Sequence, residues 1–305
     1  MDHGLVVALV AAFVFFSVAS PFFLSTRNFL IIGQSVSVIG ILAAALTIGL
    51  IAGVLDLSVG STIGVVSVVA ALLAEAGASV VVVVGAAVSV GLAVGGLNTF
   101  LIVKLGIDSI IATLATASVF FGTGLILAQG KTIYAADEYL GSFVSARPLG
   151  IPTPVILLAL TYVAGYVLLA KAKLGWHIYA TGGNRSAADR SGIPTKRILA
   201  FVLLLSALAA TVGGLILAGR TLSGSGLYGR FLNIDALTAV LLGGIGLSGG
   251  RGKIEQTLVG VLFIGILANG LTLLNTPSFY QAVVRGFAFL LAIMLDAHRR
   301  RSMER

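Results

Sequence analysis

The 305-residue sequence has no cysteine, which excludes disulfides, thiolate metal sites and cysteine nucleophiles and leaves the redox compartment unreadable. Charge is scarce too: Asp, Glu, Lys and Arg make up 10% of the residues, against about 25% in an ordinary soluble domain. The three histidines, His3, His177 and His298, fall at a terminus, a connection and the tail. They support neither a metal triad nor a buried acid/base histidine. No Gly-x-x-x-x-Gly-Lys-Ser/Thr loop is present, so the chain carries no Walker-type nucleotide site. The stretch Gly249-Gly250-Arg251-Gly252-Lys253 lacks the preceding strand and the spacing of a phosphate cradle, and reads as a flexible turn between apolar segments. Catalytic residues, a cofactor and a bound metal are therefore not expected.

What the chain has is apolar surface. Hydrophobic residues make up 58% and the mean hydropathy is +1.11. A soluble core cannot absorb that much without large exposed patches. The composition predicts an all-α, polytopic transmembrane bundle, a single membrane domain over residues 1–305. A spanning helix needs about 20 apolar residues, because the hydrocarbon core is about 30 Å thick and the helical rise 1.5 Å per residue. That ruler gives about ten spans, near 5–24, 34–54, 58–76, 80–103, 109–128, 153–170, 198–219, 235–249, 255–274 and 279–296, of which the second and third read equally as one broken hairpin. The first run ends in a small-x-small triplet, Ser17-Val18-Ala19. It is preceded by Asp2 and His3 rather than basic residues, so it is expected to stay as a helix and not to be cleaved as a signal peptide.

The net charge of +8 and isoelectric point near 10 raise nucleic acid as a partner, but no basic stripe with interleaved aromatics is present, and none is expected to bind. The cations instead sit between apolar runs. Lys171, Lys173, Arg185, Arg190, Lys196 and Arg197 share one connection, and Arg299, Arg300, Arg301 and Arg305 end the chain. Under the positive-inside bias both regions face the cytoplasm, together with Lys104, Arg251 and Lys253, and both termini are cytoplasmic. Arg27, Lys131, Arg147, Arg220 and Arg230 then lie outside. The connection from Gln129 to Ile151, carrying Lys131, Asp137, Glu138 and Arg147, is either a plain solvated loop or a docking surface for an external partner. Small residues recur in the spans, as in Gly91-x-x-x-Gly95, Gly213-Gly214 and Gly260, Gly265 and Gly270, which predicts closely packed helices.

Polar groups within the spans are the default functional candidates, because each costs a few kcal/mol at the bilayer centre. Gln34, Asp56, Ser58, Asn98, Thr99, Asp235 and Asn269 are the candidate pathway residues, with Asn275 and Arg285 beside them. The alternative for each is an interface position or a bond to a neighbouring helix. Between Thr181 and Pro194, Asn184 suits a helix N-cap and Gly192 the residue past a helix end. A helix of about two turns follows, with Ala187, Ala188 and Ser191 on one face. It could fit a groove in a partner or be an ordinary capped loop helix.

Three segments resemble the permeases of ribose-, xylose- and galactose-type bacterial ABC importers. Ala180-Thr181-Gly182-Gly183-Asn184 with Ala187-Ala188 and Ser191-Gly192-Ile193 resembles their cytoplasmic coupling segment, here about 180–194. Gly53 followed by Asp56-Leu57-Ser58-Val59-Gly60-Ser61 is similar to their early Asp-Leu-Ser-x-Gly-Ser motif, although Val54-Leu55 replaces the usual glycine and isoleucine. Leu242-Gly243-Gly244 through Leu247-Ser248-Gly249-Gly250-Arg251-Gly252, continuing to Gly260, Asn269-Gly270 and Ser278-Phe279-Tyr280-Gln281, is the third. The resemblance implies a bacterial inner-membrane permease for a monosaccharide or polyol that hydrolyses no ATP itself. It implies cytoplasmic ATP-binding subunits, a periplasmic or extracellular sugar-binding protein and a second permease copy or paralogue. It also assigns coupling to Gly182, Gly183, Asn184, Ala187, Ala188, Ser191 and Gly192. A branched-chain amino-acid permease, a secondary transporter and a membrane assembly factor are the competing readings; a secondary transporter should show a coupling-ion site near the midplane.

Overall fold

A computed structural model describes residues 3–134 and 138–303, with side chains from Gly4 to Tyr134 and from Gly141 to Met294. Asp137 and Arg305 lie outside the described residues. The chain folds into helices α1 (His3–Ala19), α2 (Thr26–Ala52), α3 (Val59–Glu75), α4 (Val80–Thr99), α5 (Ser109–Leu127), α6 (Glu138–Ser145), α7 (Thr153–Ala170), α8 (Lys173–Gly183), α9 (Arg185–Arg190), α10 (Thr195–Thr221), α11 (Leu232–Leu242), α12 (Ile254–Leu273) and α13 (Ser278–Met303). A π turn, Phe100–Lys104, prolongs α4, and a two-residue ladder pairs Ile133 with Gly224 and Tyr134 with Ser223. Helix starts obey local chemistry: Ser25 Oγ accepts the Asn28 amide at 3.2 Å, and Asp108 accepts the Ile110 amide at 2.9 Å.

Among the described residues six helices are long and apolar enough to cross a membrane: Thr26–Ala52, Val80–Lys104, Ser109–Leu127, Thr153–Ala170, Thr195–Thr221 and Ile254–Leu273. Four shorter apolar helices, Gly4–Ala19, Val59–Glu75, Leu232–Leu242 and Ser278–Met294, accompany them. The chain is thus an all-helical, multi-pass membrane protein. One expected span changes: the segment 235–249 is an 11-residue helix, α11, followed by turns. Its second half is apolar but holds Gly243, Gly244 and Gly249, and two of these take positive φ, so hydropathy alone misread a turn as a helix.

The centre is an antiparallel pair, α2 and α10, each 27 residues long; Gly49 lies against Val202 and Gly213 against Val38. Each ends on a left-handed residue, Gly53 (φ 84°) and Leu222 (φ 47°). Each is followed by a non-helical stretch, a shorter helix and two more helices. The partners are exchanged: α3 and α4 pack on α10, and α11 and α12 pack on α2, while α5 covers α3 and α13 covers α11. The chain is therefore two like-built halves of opposite orientation, an arrangement recurrent in transporters. The sequence reading did not detect it.

Non-helical backbone at membrane depth survives only where protein satisfies its polar groups. In the stretch after α2, the Leu55 amide donates to Ser109 Oγ at 3.3 Å and the Leu57 amide to Thr113 Oγ1 at 3.1 Å. The stretch after α10 runs back along α3, with Gly224 against Ser67, Gly226 against Gly64 and Gly124, and Gly229 against Gly60. There the Ser225 amide donates to Ser67 Oγ at 3.2 Å, and Asn233 Nδ2 donates to the Leu57 carbonyl at 3.4 Å.

Candidate functional site

Three places gather the polar and glycine positions singled out by sequence. The first is a glycine junction at the end of the bundle that carries α8 and α9. Gly182, near the end of α8, lies so close to Ile51 and Ala52 at the end of α2 that an added Cβ would meet the Ile51 carbonyl oxygen, with the Gly250 nitrogen 2.8 Å away. A Cβ on Gly250 would in turn come within 2.6 Å of Gly183 Cα, and the Gly250 amide donates to the Ile51 carbonyl at 2.8 Å. The expected flexible turn at 249–253 is instead docked against two other segments. Tyr179 adds a fourth tie, its hydroxyl donating to the Gly252 carbonyl at 2.7 Å.

Helix α9 leaves this junction directly. Asn184 caps it, accepting the Ala187 amide at 2.9 Å, and Gly192 follows its end at φ 81°. Ala188 is 4% exposed and turned into the chain, Ala187 is half-buried, and Gly183, Asn184, Ser191 and Gly192 are exposed. The surface left for a partner is therefore Arg185, Ser186, Asp189 and Arg190, all exposed, more than the small face that the residue spacing suggested. Thr195 Oγ1 donates to Asp189 Oδ1 at 2.5 Å, tying the helix to the start of α10.

The second place is a buried polar network around the break between α2 and α3. Asp56 Oδ1 accepts the Ser58 amide at 2.9 Å and the Ser58 hydroxyl at 2.6 Å. Asn98 Nδ2 donates to Ser58 Oγ at 2.8 Å, and Thr116 Oγ1 donates to Asn98 Oδ1 at 2.8 Å. Asp56, Ser58 and Asn98 are all buried. Asp56 Oδ2 and Ser206 Oγ lack a hydrogen bond, although the Ser206 side chain approaches the carboxylate. Thr99 Oγ1 is buried and likewise without a partner.

The third is a cleft of about 220 Å³ between the start of α3, the middle of α5 and the returning stretch, lined by Leu57, Ser61, Ser118, Phe121, Tyr228, Arg230 and Asn233. Hydroxyls, an amide and a guanidinium stand there beside two aromatic rings, a set suited to a small polyhydroxylated molecule. Sequence reasoning named none of these as pathway residues, because Ser118 and Phe121 come together with Arg230 and Asn233 only through the returning stretch. The remaining candidates lie elsewhere. Asn269 and Asn28 exchange hydrogen bonds of 2.9 and 3.1 Å between α12 and α2. Asp235 of α11 pairs with Arg285 of α13 at 3.3 Å. Gln34 is half-buried on α2 and Asn275 is exposed. Among the described residues no group of His, Asp and Glu could hold a metal ion.

Paired broken helices, polar groups buried among apolar helices and a short capped helix at one end define a polytopic membrane permease. A family model described as "Branched-chain amino acid transport system / permease component" matches residues 28–293, and the chain belongs to that family. It is 39% identical over 282 residues to the ribose import permease protein RbsC of Bacillus subtilis (strain 168), covering 92% of this chain and 88% of that protein. It is 34% identical over 300 residues to RbsC of Escherichia coli (strain K12), covering 97% and 94%. To the L-arabinose transport system permease protein AraH of the same strain it is 32% identical over 301 residues, covering 99% and 92%. No solved structure matches the chain significantly. Membership makes the chain a permease component of an ABC importer, not an enzyme.

Proposed function

We propose that the chain forms the translocation pathway of a bacterial monosaccharide importer and is driven by separate ATP-binding subunits. The substrate class follows the names of its relatives, which are ribose and arabinose permeases. The observation that carries the coupling part of this reading is the glycine junction. It joins the base of α9 to the end of α2 and to the loop before α12, so a force on α9 reaches helices of both halves. An ATP-binding subunit would dock on the exposed residues of α9, with Gly182, Gly183, Asn184, Ala187, Ala188, Ser191 and Gly192 forming or bracing that element.

The sugar would pass the cleft at Ser118, Phe121, Arg230 and Asn233, delivered by an external sugar-binding protein and enclosed by a second permease copy or paralogue. Asp56, Ser58 and Asn98 would brace the break beneath it, with Thr99 next to Asn98 in the chain, Asp235 would hold α11 to α13, and Gln34 on α2 and Asn269 at the α12–α2 contact are the further polar candidates. In this reading residues 1–305 are a single inner-membrane domain. The crossings would be α1 to α5, α7, α10, the stretch from Ser223 to Phe231 together with the 11-residue α11, α12 and α13, ten in all, with both termini cytoplasmic.

The test is uptake by the complex reconstituted with its ATP-binding subunits and binding protein. Ser118→Trp should abolish sugar uptake while binding-protein-stimulated ATP hydrolysis and assembly persist. Unchanged uptake would remove the cleft from the pathway. A reporter fused after Arg305 that is active only outside the membrane would overturn the topology.

A further inference from the structure

A second cleft, of about 340 Å³, opens at the end of α7 beside α8 and the start of α12. Tyr166 and Leu169 of α7, Trp176 and Tyr179 of α8, and Lys253 and Glu255 at the α12 start line it. Its walls are held together by the Tyr179 hydroxyl on the Gly252 carbonyl. Trp176 is the one tryptophan of the chain and is 74% exposed. Lys253 and Glu255 are both exposed, and neither forms an ion pair among the described residues.

The approach to this cleft is apolar. Leu160, Val163 and Val167 of α7 are exposed at the spacing of a single helix face. From Leu160 to Ala170 that face rises about 15 Å, close to the hydrocarbon depth of one leaflet, about half of 30 Å. A ligand with two acyl chains can therefore lie along α7 with its polar end in the cleft. A purely anionic headgroup would meet Lys253 favourably and Glu255 unfavourably, and a purely cationic one the reverse. A headgroup carrying both a phosphate and a primary ammonium satisfies both, and Trp176 offers an aromatic face at the depth where such rings anchor in membranes.

We propose that this cleft holds the headgroup of a zwitterionic aminophospholipid, with the phosphate at Lys253, the ammonium at Glu255 and Trp176, and the acyl chains along α7. The site is separate from the sugar pathway and does not depend on the orientation of the chain.

Trp176 reports on it directly. The full-length protein is placed in nanodiscs of phosphatidylcholine containing increasing fractions of bromine-labelled phosphatidylethanolamine or phosphatidylglycerol, and tryptophan fluorescence is followed. Phosphatidylethanolamine should quench at a several-fold lower mole fraction than phosphatidylglycerol. Glu255→Gln should erase that preference, and Lys253→Gln should weaken quenching by both lipids. Glu255→Gln alone decides the matter if the Lys253 variant does not fold, since the Glu255 side chain makes no hydrogen bond among the described residues. Equal quenching by the two lipids in the parent, or an unchanged preference in Glu255→Gln, would overturn the proposal. So would loss of quenching on adding the ATP-binding subunits, which would show that a protein covers the cleft.

Discussion

The backbone amide of Gly250 donates to the carbonyl of Ile51 across 2.8 Å, and this one bond joins the loop before α12 to the last turn of α2. Gly182 sits in the same contact, backbone against backbone, where no side chain fits. The two halves of the molecule thus touch through main-chain atoms at the place from which α9 departs.

Gly182→Ala should therefore be destabilising, whereas Gly183→Ala should not, since a Cβ at Gly183 meets no atom within 4 Å. Overpacking a close contact costs typically about 1–3 kcal/mol. Thermal unfolding of the two purified variants in detergent is the comparison. Equal melting temperatures would mean that the junction is looser than its geometry.

Asn98→Ala removes the donor to Ser58 and the acceptor of Thr116 together. Ser58 keeps its bond to Asp56 and Thr116 a bond to the Thr113 carbonyl, so the loss is that of two buried hydrogen bonds at about 0.5–1.5 kcal/mol each; this variant should still lose more stability than Thr272→Ala, whose hydroxyl bonds only within its own exposed turn and weakly to Gln281. Denaturant midpoints measured side by side test the ranking.

Asp235 and Arg285 differ in exposure, their side chains being 8% and 38% accessible. Arg285→Met strands a buried carboxylate, while Asp235→Asn leaves a cation that already reaches the surface. The first change should be the more harmful, because the carboxylate it leaves behind is the more buried of the two groups. Arg285→Met combined with Asp235→Leu should recover part of the stability lost in Arg285→Met alone. A double variant no better than Arg285→Met would show that the pair is not energetically coupled.

Sequence made legible what is local. The cap at Asn184, the end at Gly192 and most span boundaries follow from neighbouring residues, and the structure has them within a few positions. Pairings such as Asn28 with Asn269 and Asp235 with Arg285 unite residues far apart in the chain, and no local pattern encodes them. The returning stretch from Ser223 to Phe231 escaped because its glycines fit against α3 by shape, a property of two surfaces. Hydropathy failed at 243–249 because glycine and isoleucine are apolar whether or not the backbone is helical.

Tyr179 gives a pH dependence outside the membrane. Burial, and then the negative charge of Glu255, raise its hydroxyl above the ordinary tyrosine value, because both disfavour the phenolate. The folded state thus resists an ionisation that the unfolded chain undergoes near pH 10. Its contribution is fully present below that pH and is lost as pH rises through the raised value. Unfolding measured from pH 8 to 11 should show an alkaline decline that is shallower in Tyr179→Phe. Identical slopes would exclude Tyr179 as its source.

The exchange of partners between the halves bears on how the chain is made. Helices α3 and α4 emerge from the ribosome long before α10, the helix they pack against. Until Thr195–Thr221 is inserted, the small-residue faces at Gly91 and Gly95 that later meet Thr211 and Ala207 must rest against lipid. The polar network of Asp56, Ser58, Asn98 and Thr116 belongs wholly to the first half, and can close early to hold that half together. A polypeptide arrested or cut between α5 and α7 would therefore lack the helix against which α3 and α4 pack, and should acquire its full packed interior only when the other piece is in the same membrane.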